Sequence, residues 1–236
     1  ERLFHQSPEL CLRKKKMKTI TQNLQNLKSS LEDKPQINIV VVTKTRSPEE
    51  IQEAIAAGAT SIGENRVQEA EQKFSKIQNI EKTEKRLIGR LQSNKAKKAV
   101  KIFDTIDSVD SLKLSQKISK AAKDLGKTQR VLLQINSSGE NTKAGFSFNN
   151  KKEILECINM SGIKVEGLMT MGPNTKEVDL IAKSFQKTKK LFDELNKLEN
   201  VKMKTLSMGM SGDYLIAVRE GSTSIRVGTA IFGPRV

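Results

Sequence analysis

The sequence predicts an α/β protein folded as a single (β/α)8 TIM barrel, and three observations carry that prediction. Ile37 to Thr43 is a run dominated by β-branched apolar residues with little polar alternation, the pattern of a strand buried on both faces. Strand-like and helix-like segments alternate along all 236 residues, a length near the usual size of such a barrel. Polar, glycine-rich stretches recur just after the strands, where α/β folds place their ligands.

The elements follow in order. Lys18 to Leu31 carries apolar residues at helical spacing (Ile20, Leu24, Leu27, Leu31) and leads into the Ile37 strand. Ser47-Pro48-Glu49-Glu50 supplies a cap, a first-turn proline and first-turn acids, so a helix runs from Pro48 to Ala57 and stops at Gly58. Ala59 to Ile62 is a short strand, Val67 to Ile77 a helix, Arg86 to Gly89 a strand and Asn94 to Val100 a helix. Phe103 to Ile106 is the fourth strand, followed by a helix from Ser111 to Leu125, closed by Gly126. Arg130 to Ile135, Lys164 to Met169, Thr205 to Met208 and Ser224 to Val227 are the remaining strands. Helices at Lys151 to Met160, Lys176 to Leu198 and Asp213 to Val218 separate them, and a terminal turn ends the chain. A doubly wound open sheet is the competing architecture, and the first strand lacks the GxGxxG turn it would use. The barrel domain is assigned to residues 17–236, with 1–16 as a flexible N-terminal extension lacking the apolar core of a secretory signal.

Composition removes several classes of function. The only histidine is His5, in that extension, which excludes Ser-His-Asp triads and imidazole-based metal sites in the domain. Cys11 and Cys157 are far apart in no CxxC pattern, which suits a reduced, cytoplasmic protein without structural zinc. No apolar run is long enough for a membrane span. The net charge of +15 invites a nucleic-acid role. The lysines are, however, spread over amphipathic helices without interleaved aromatics, so no specific nucleic-acid binding is expected.

Lys44 stands where the first strand runs out, at the ligand-bearing end of the predicted barrel. A partly desolvated amine there can lose its proton and join a carbonyl compound as a Schiff base. Six patches should converge on it: Gly63-Glu64-Asn65, Gly89 to Lys95, Asn136 to Gly145, Met169 to Pro173, Ser207 to Asp213 and Arg226 to Thr229. Glycines and hydroxyls at helix starts suit a phosphate, and the last two patches follow the seventh and eighth strands, the usual phosphate station of this fold. A strand-end lysine with a late Ser/Gly/Thr cup points to pyridoxal 5'-phosphate (PLP).

From about Ile37 to Arg235 the chain resembles the YggS/PROSC family of PLP homeostasis (PLP-binding) proteins. The resemblance rests on seven ordered stretches: VVTKT around Lys44, IGENRVQE, LIGRLQSNK, QINSSGENTKAGF, GLMTMGP, LSMGMSGDYLIAVREGST and IRVGTAIFG. It implies a barrel like the N-terminal domain of alanine racemase, with PLP carried as an aldimine on Lys44. It further implies that Ser207, Ser211, Gly228 and Thr229 hold the phosphate. Asn65 would lie beside the cofactor, Met208 would pack near its ring, and Arg226 would face the pyridine nitrogen. Arg86 stands where the family often has histidine. The residues themselves leave plainer roles open. Ser207 and Ser211 also suit helix caps, Asn65 an N-cap, and Arg226 a salt bridge to Asp213 or Glu220. Met169, Met171, Met208 and Met210 suit core filler, and Tyr214, the sole tyrosine, suits helix packing.

The resemblance implies a monomeric, non-catalytic protein that stores, buffers or delivers PLP, with PLP-dependent enzymes as recipients. The alternative is a weak amino-acid racemase. Racemases of this barrel type add a β-rich domain and a tyrosine base across a dimer. The chain ends at Val236, directly after the predicted barrel, so neither is expected.

Overall fold

The computed structural model describes residues 19–34, 36–137 and 144–234. The N-terminal extension and the stretch from Ser138 to Lys143 lie outside the described residues. Helix α1 (Ile20–Ser29) opens on Thr19 with a reciprocal capping box to Gln22. Eight parallel strands then close into a barrel in chain order: β1 (Asn38–Val42), β2 (Ser61–Glu64), β3 (Glu84–Leu87), β4 (Thr105–Val109), β5 (Gln129–Ile135), β6 (Ile163–Thr170), β7 (Thr205–Ser207) and β8 (Ser224–Val227). The helices between them are α2 (Pro48–Ala56), α3 (Val67–Phe74), α4 (Ala96–Ile102), α5 (Leu112–Asp124), α6 (Lys151–Ile158), α7 (Val178–Asn196) and α8 (Tyr214–Arg219), and α9 (Thr229–Phe232) follows β8.

Several elements differ from the sequence expectation. β2 runs from Ser61 to Glu64 rather than from Ala59 to Ile62, β3 starts two residues earlier, at Glu84, and β4 runs from Thr105 to Val109 rather than from Phe103 to Ile106. Phe103 instead ends α4, where its buried ring meets Phe74 edge-on at 6.0 Å. The expected terminal turn is a short helix, α9, tied to α1 by Asn23 Nδ2 donating to Ile231 O at 2.8 Å.

Register explains the layering. Residues paired across neighbouring strands share a face. Val41, Ile62, Leu87, Ile106, Leu133, Leu168, Leu206 and Ile225 form one face and merge with the helices into the main apolar core. The opposite face points into the barrel, and there charged groups share the interior with Val40, Leu132 and Met169 instead of leaving it to the aliphatic layers usual in this fold. Arg86 and Asp107 are 4% and 0% exposed and meet at 2.9–3.2 Å. Glu84 accepts from Arg86 Nη1 at 2.9 Å, Arg130 Nη2 at 3.0 Å, Thr105 Oγ1 at 3.0 Å and Ser61 Oγ at 3.2 Å. Burial works against ionisation of Glu84, but Arg86 and Arg130 outweigh it and hold the carboxyl below its ordinary range. Burial also works against the Arg86 charge, yet Asp107 and Glu84 hold that guanidinium firmly protonated.

Close approach demands glycine at Gly167. A Cβ there would fall 1.7 Å from Thr205 O, so β6 and β7 could not stay paired in register.

Asp107→Ala should be strongly destabilising, because it removes one carboxylate from a buried cation. Breaking such a pair costs about 3–5 kcal/mol, and Glu84 places the expectation at the lower end. Urea unfolding followed by circular dichroism measures it. A loss under about 1 kcal/mol would show that the pair behaves like a solvent-screened one.

Candidate cofactor site

At the C-terminal mouth of the barrel lies a cavity of about 250 Å³ lined by Val42, Lys44, Arg46, Asn65, Ile88, Met171, Met210, Ser211, Gly212, Arg226, Gly228 and Thr229. Lys44 enters it by strand parity. Val40 is in register with Arg226 and Val42 with Gly63 on the inner face, and Lys44 continues that row one step past the strand. The pairing of β1 with β8 brings residues 44 and 226–229 together across the whole sequence.

Arg226 is 4% exposed. It donates from Nη1 to Ser207 O at 2.9 Å and Ser207 Oγ at 2.7 Å, and from Nη2 to Thr170 O at 2.8 Å. Those bonds leave the guanidinium fixed at the cavity wall by backbone carbonyls and a hydroxyl. Burial lowers its pKa from the ordinary value, against the pull of Asp107 and Asp213. An arginine so placed still keeps its proton.

Ser211 Oγ accepts from Gly228 N and Ala230 N, both at 3.3 Å. The loop carrying it is closed by Asp213 Oδ1 accepting from Met210 N at 2.6 Å. One hydroxyl and two amides thus converge at the mouth of the barrel, beside the exposed Thr229. Long bonds to a single hydroxyl mark donors that a more strongly accepting oxygen would satisfy better. Asn65 is half-buried, pinned by Gly89, where a Cβ would stand 2.4 Å from Asn65 O.

Six of the eight residues singled out from sequence line this cavity: Lys44, Asn65, Ser211, Arg226, Gly228 and Thr229. Ser207 and Met208 do not. Ser207 is fully buried beneath Arg226, and Met208 is fully buried in the apolar core. Among the methionines, Met169 and Met208 fill the interior, but Met171 and Met210 are 46% and 40% exposed and flank the cavity. The core-filler reading is therefore corrected for those two, which stand just past strand ends rather than within strands. Neither Ser207 nor Asn65 caps a helix: the N-cap of α8 is Asp213 and that of α3 is Arg66, neither with a side-chain cap bond. Arg86, at the position where the resemblance leads one to expect a histidine, points into the barrel below the cavity and pairs with Asp107. Tyr214 packs as expected of a helix residue and meets Ser30 Oγ at 3.2 Å.

Sequence reasoning missed the support behind Lys44. Glu64 points outward, between the barrel wall and α3, with its side chain 0% exposed and Oε2 unpartnered. Its Oε1 accepts from Thr43 Oγ1 at 2.7 Å and Lys73 Nζ at 3.1 Å. Burial raises the Glu64 pKa against the pull of Thr43 and Lys73. Glu69 differs: burial again opposes ionisation, but Lys73 and the Thr45 amide prevail and hold the carboxyl below its ordinary range. The only signal in the sequence was the Glu69–Lys73 spacing of four, which is common on solvated helix faces.

Residues 16–236 match the family model of the alanine racemase N-terminal domain. The pyridoxal phosphate homeostasis protein of Aquifex aeolicus is 39% identical over 194 residues, covering 82% of this chain and 85% of its own. The protein of the same name from Vibrio alginolyticus is 34% identical over 234 residues, covering 93% and 99%. Among solved structures, PipY of Synechococcus elongatus with PLP bound superposes with a TM-score of 0.83 at 34% identity, covering 91% of this chain and all of that one. Alanine racemase of Clostridium difficile, at 21% identity and a TM-score of 0.73, shares the fold over 57% of its length. The chain belongs to the alanine racemase N-terminal domain family and, within it, to the pyridoxal phosphate homeostasis proteins.

Proposed function

We propose that the chain binds PLP at the mouth of the barrel, with Lys44 as the amine that bonds it, and acts in PLP homeostasis by holding and handing on the cofactor. One observation carries this reading. A strand-end lysine, a fixed guanidinium and a hydroxyl–amide cluster share one cavity, flanked by the apolar side chains of Val42, Ile88, Met171 and Met210. The donor set fits the group: an amine for an aldehyde, apolar walls for a ring, and Ser211, Gly228 and Thr229 for a phosphate. Asn65 and Arg226 complete the lining, and Ser207 contributes by bracing Arg226 rather than by contact.

When bound, PLP supplies an aldehyde that condenses with a primary amine and a ring that withdraws electrons. The protein's own residues decide how far that chemistry goes. Arg226 only donates hydrogen bonds and retains its proton, so it cannot hold a proton on a basic nitrogen as a carboxylate does. That favours retention of the cofactor over turnover of amino acids. A cytoplasmic, monomeric protein serving PLP-dependent enzymes is the corresponding cellular reading. It is consistent with the finding that no helix among the described residues is long and apolar enough to cross a membrane.

Three measurements test this. Borohydride reduction of the PLP-loaded protein should leave a stable adduct that peptide mapping places on Lys44, and Lys44→Ala should abolish it. An adduct mainly on another lysine of the unmutated chain would refute the assignment.

Charge-assisted hydrogen bonds contribute about 1.5–3 kcal/mol each, so Ser211→Ala or Thr229→Val should weaken PLP binding roughly tenfold or more. Affinity for unphosphorylated pyridoxal should change little. Equal losses for both ligands would assign these residues to the fold rather than to the phosphate.

For Arg226, α-proton exchange of added amino acids in deuterated water should be slow with the unmutated protein. It should rise with Arg226→Glu. Rapid exchange by the unmutated protein would overturn the carrier reading in favour of a racemase.

A further inference from the structure

Thr45, the residue after Lys44, has φ 62. A β-branched side chain is strained in that left-handed region. The other non-glycine described residues with positive φ are Asn79 and Asn200, and asparagine tolerates it through its short polar side chain. Strain of this kind persists only where the surroundings over-determine the backbone.

Here they do, from both sides. Glu69 Oε1 accepts the Thr45 amide at 2.6 Å, and Lys73 Nζ donates to the same oxygen at 2.6 Å. Lys73 also donates to Thr43 O at 2.9 Å and to the buried Glu64 at 3.1 Å. Arg46 N closes the turn on Thr43 O at 3.0 Å. Its guanidinium donates to Gly233 O at 2.8 Å and lies 5.2 Å from the centre of the Phe232 ring. Thr43, Thr45 and Arg46 are each held, and Lys44 stands between them.

Docking α3 against the barrel wall does not require all of this. The Lys73–Glu64 and Thr43–Glu64 bonds already join the helix to β1 and β2. The short bond from the Thr45 amide to Glu69 reaches past those strands to the strained turn itself. We propose that Glu69 is a positioning residue. Its carboxylate, held by Lys73 and through it by Glu64, fixes the left-handed turn at Thr45 that keeps the Lys44 amine in the cavity. The inference rests on the reading of Lys44 as the residue that bonds PLP.

The test compares two ligands in the full chain. PLP can bond Lys44, whereas pyridoxamine 5'-phosphate carries an amine in place of the aldehyde and cannot. Glu69→Ala should weaken PLP about tenfold and leave pyridoxamine phosphate within about twofold, because relaxing such strain changes one interaction and not the phosphate cup. Glu69→Gln keeps an acceptor oxygen for the Thr45 amide and should stay within about threefold of the unmutated chain. Adding Thr45→Gly to Glu69→Ala should recover most of the lost affinity, since glycine adopts this φ without strain. Equal weakening of both ligands, no weakening of either, or no recovery with glycine would overturn the positioning role. Borohydride trapping on Lys44 of the unmutated chain is read in the same series. Its absence would overturn the cofactor reading itself, whereas its presence with unchanged PLP affinity in Glu69→Ala would overturn only the role of Glu69.

Discussion

Everything at the mouth of the barrel depends on the closure of β1 against β8. Four register pairs, Asn38 with Ser224 through Val41 with Val227, join strands that are nearly the whole chain apart. Closing so long a loop costs little more than closing a short one, because the entropic penalty grows only with the logarithm of length. The gain is a fixed distance between the first strand's lysine and the last strand's arginine, glycine and threonine. A one-residue slip would turn Lys44 out of the barrel, since neighbouring side chains alternate faces. Closure therefore sets the site's composition as well as the fold.

A charged barrel interior is the second consequence of this architecture. Arg226 does not stand alone at the cavity floor. Thr170 and Ser207 hold it, Asp107 attracts it, and Asp107 is itself bound to Arg86 and thus linked to Glu84 and Arg130. A run of alternating charges reaches from the mouth toward the opposite end. Such a network satisfies buried polar groups that could not otherwise be tolerated, and it makes each member sensitive to loss of the next.

The sequence made the outer, helix-facing half of each strand legible, and with it the barrel. Ile37 to Thr43 located β1 and Lys44 directly. The inner half was harder to read, because inward charges interrupt the apolar runs that mark buried strands. Glu84-Lys85-Arg86 looks like a polar loop but begins β3, and Asp107 and Ser108 hid the second half of β4. The cavity residues of the last two patches were legible as a cluster, while their division of labour was not. Ser207 and Ser211 look alike in SMGMS, yet Ser207 ends β7 and lies beneath Arg226, whereas Ser211 stands past the strand in the loop that reaches the amides of Gly228 and Ala230. The Glu64–Lys73–Glu69 support needed the third dimension, because it joins β2 and α3 to a turn some twenty residues upstream.

Tyr214 has an optical consequence. The chain contains one tyrosine and no tryptophan, so ultraviolet emission from the folded protein reports a single location. That location adjoins the cavity: Tyr214 N donates to the carbonyl of Met210, a lining residue, at 2.9 Å, and the phenol rests against α1 through Ser30. A chromophore entering the barrel mouth would sit close enough to quench this one ring by energy transfer. The protein thus carries its own fluorescent gauge of occupancy, free of the background that further tyrosines or a tryptophan would impose.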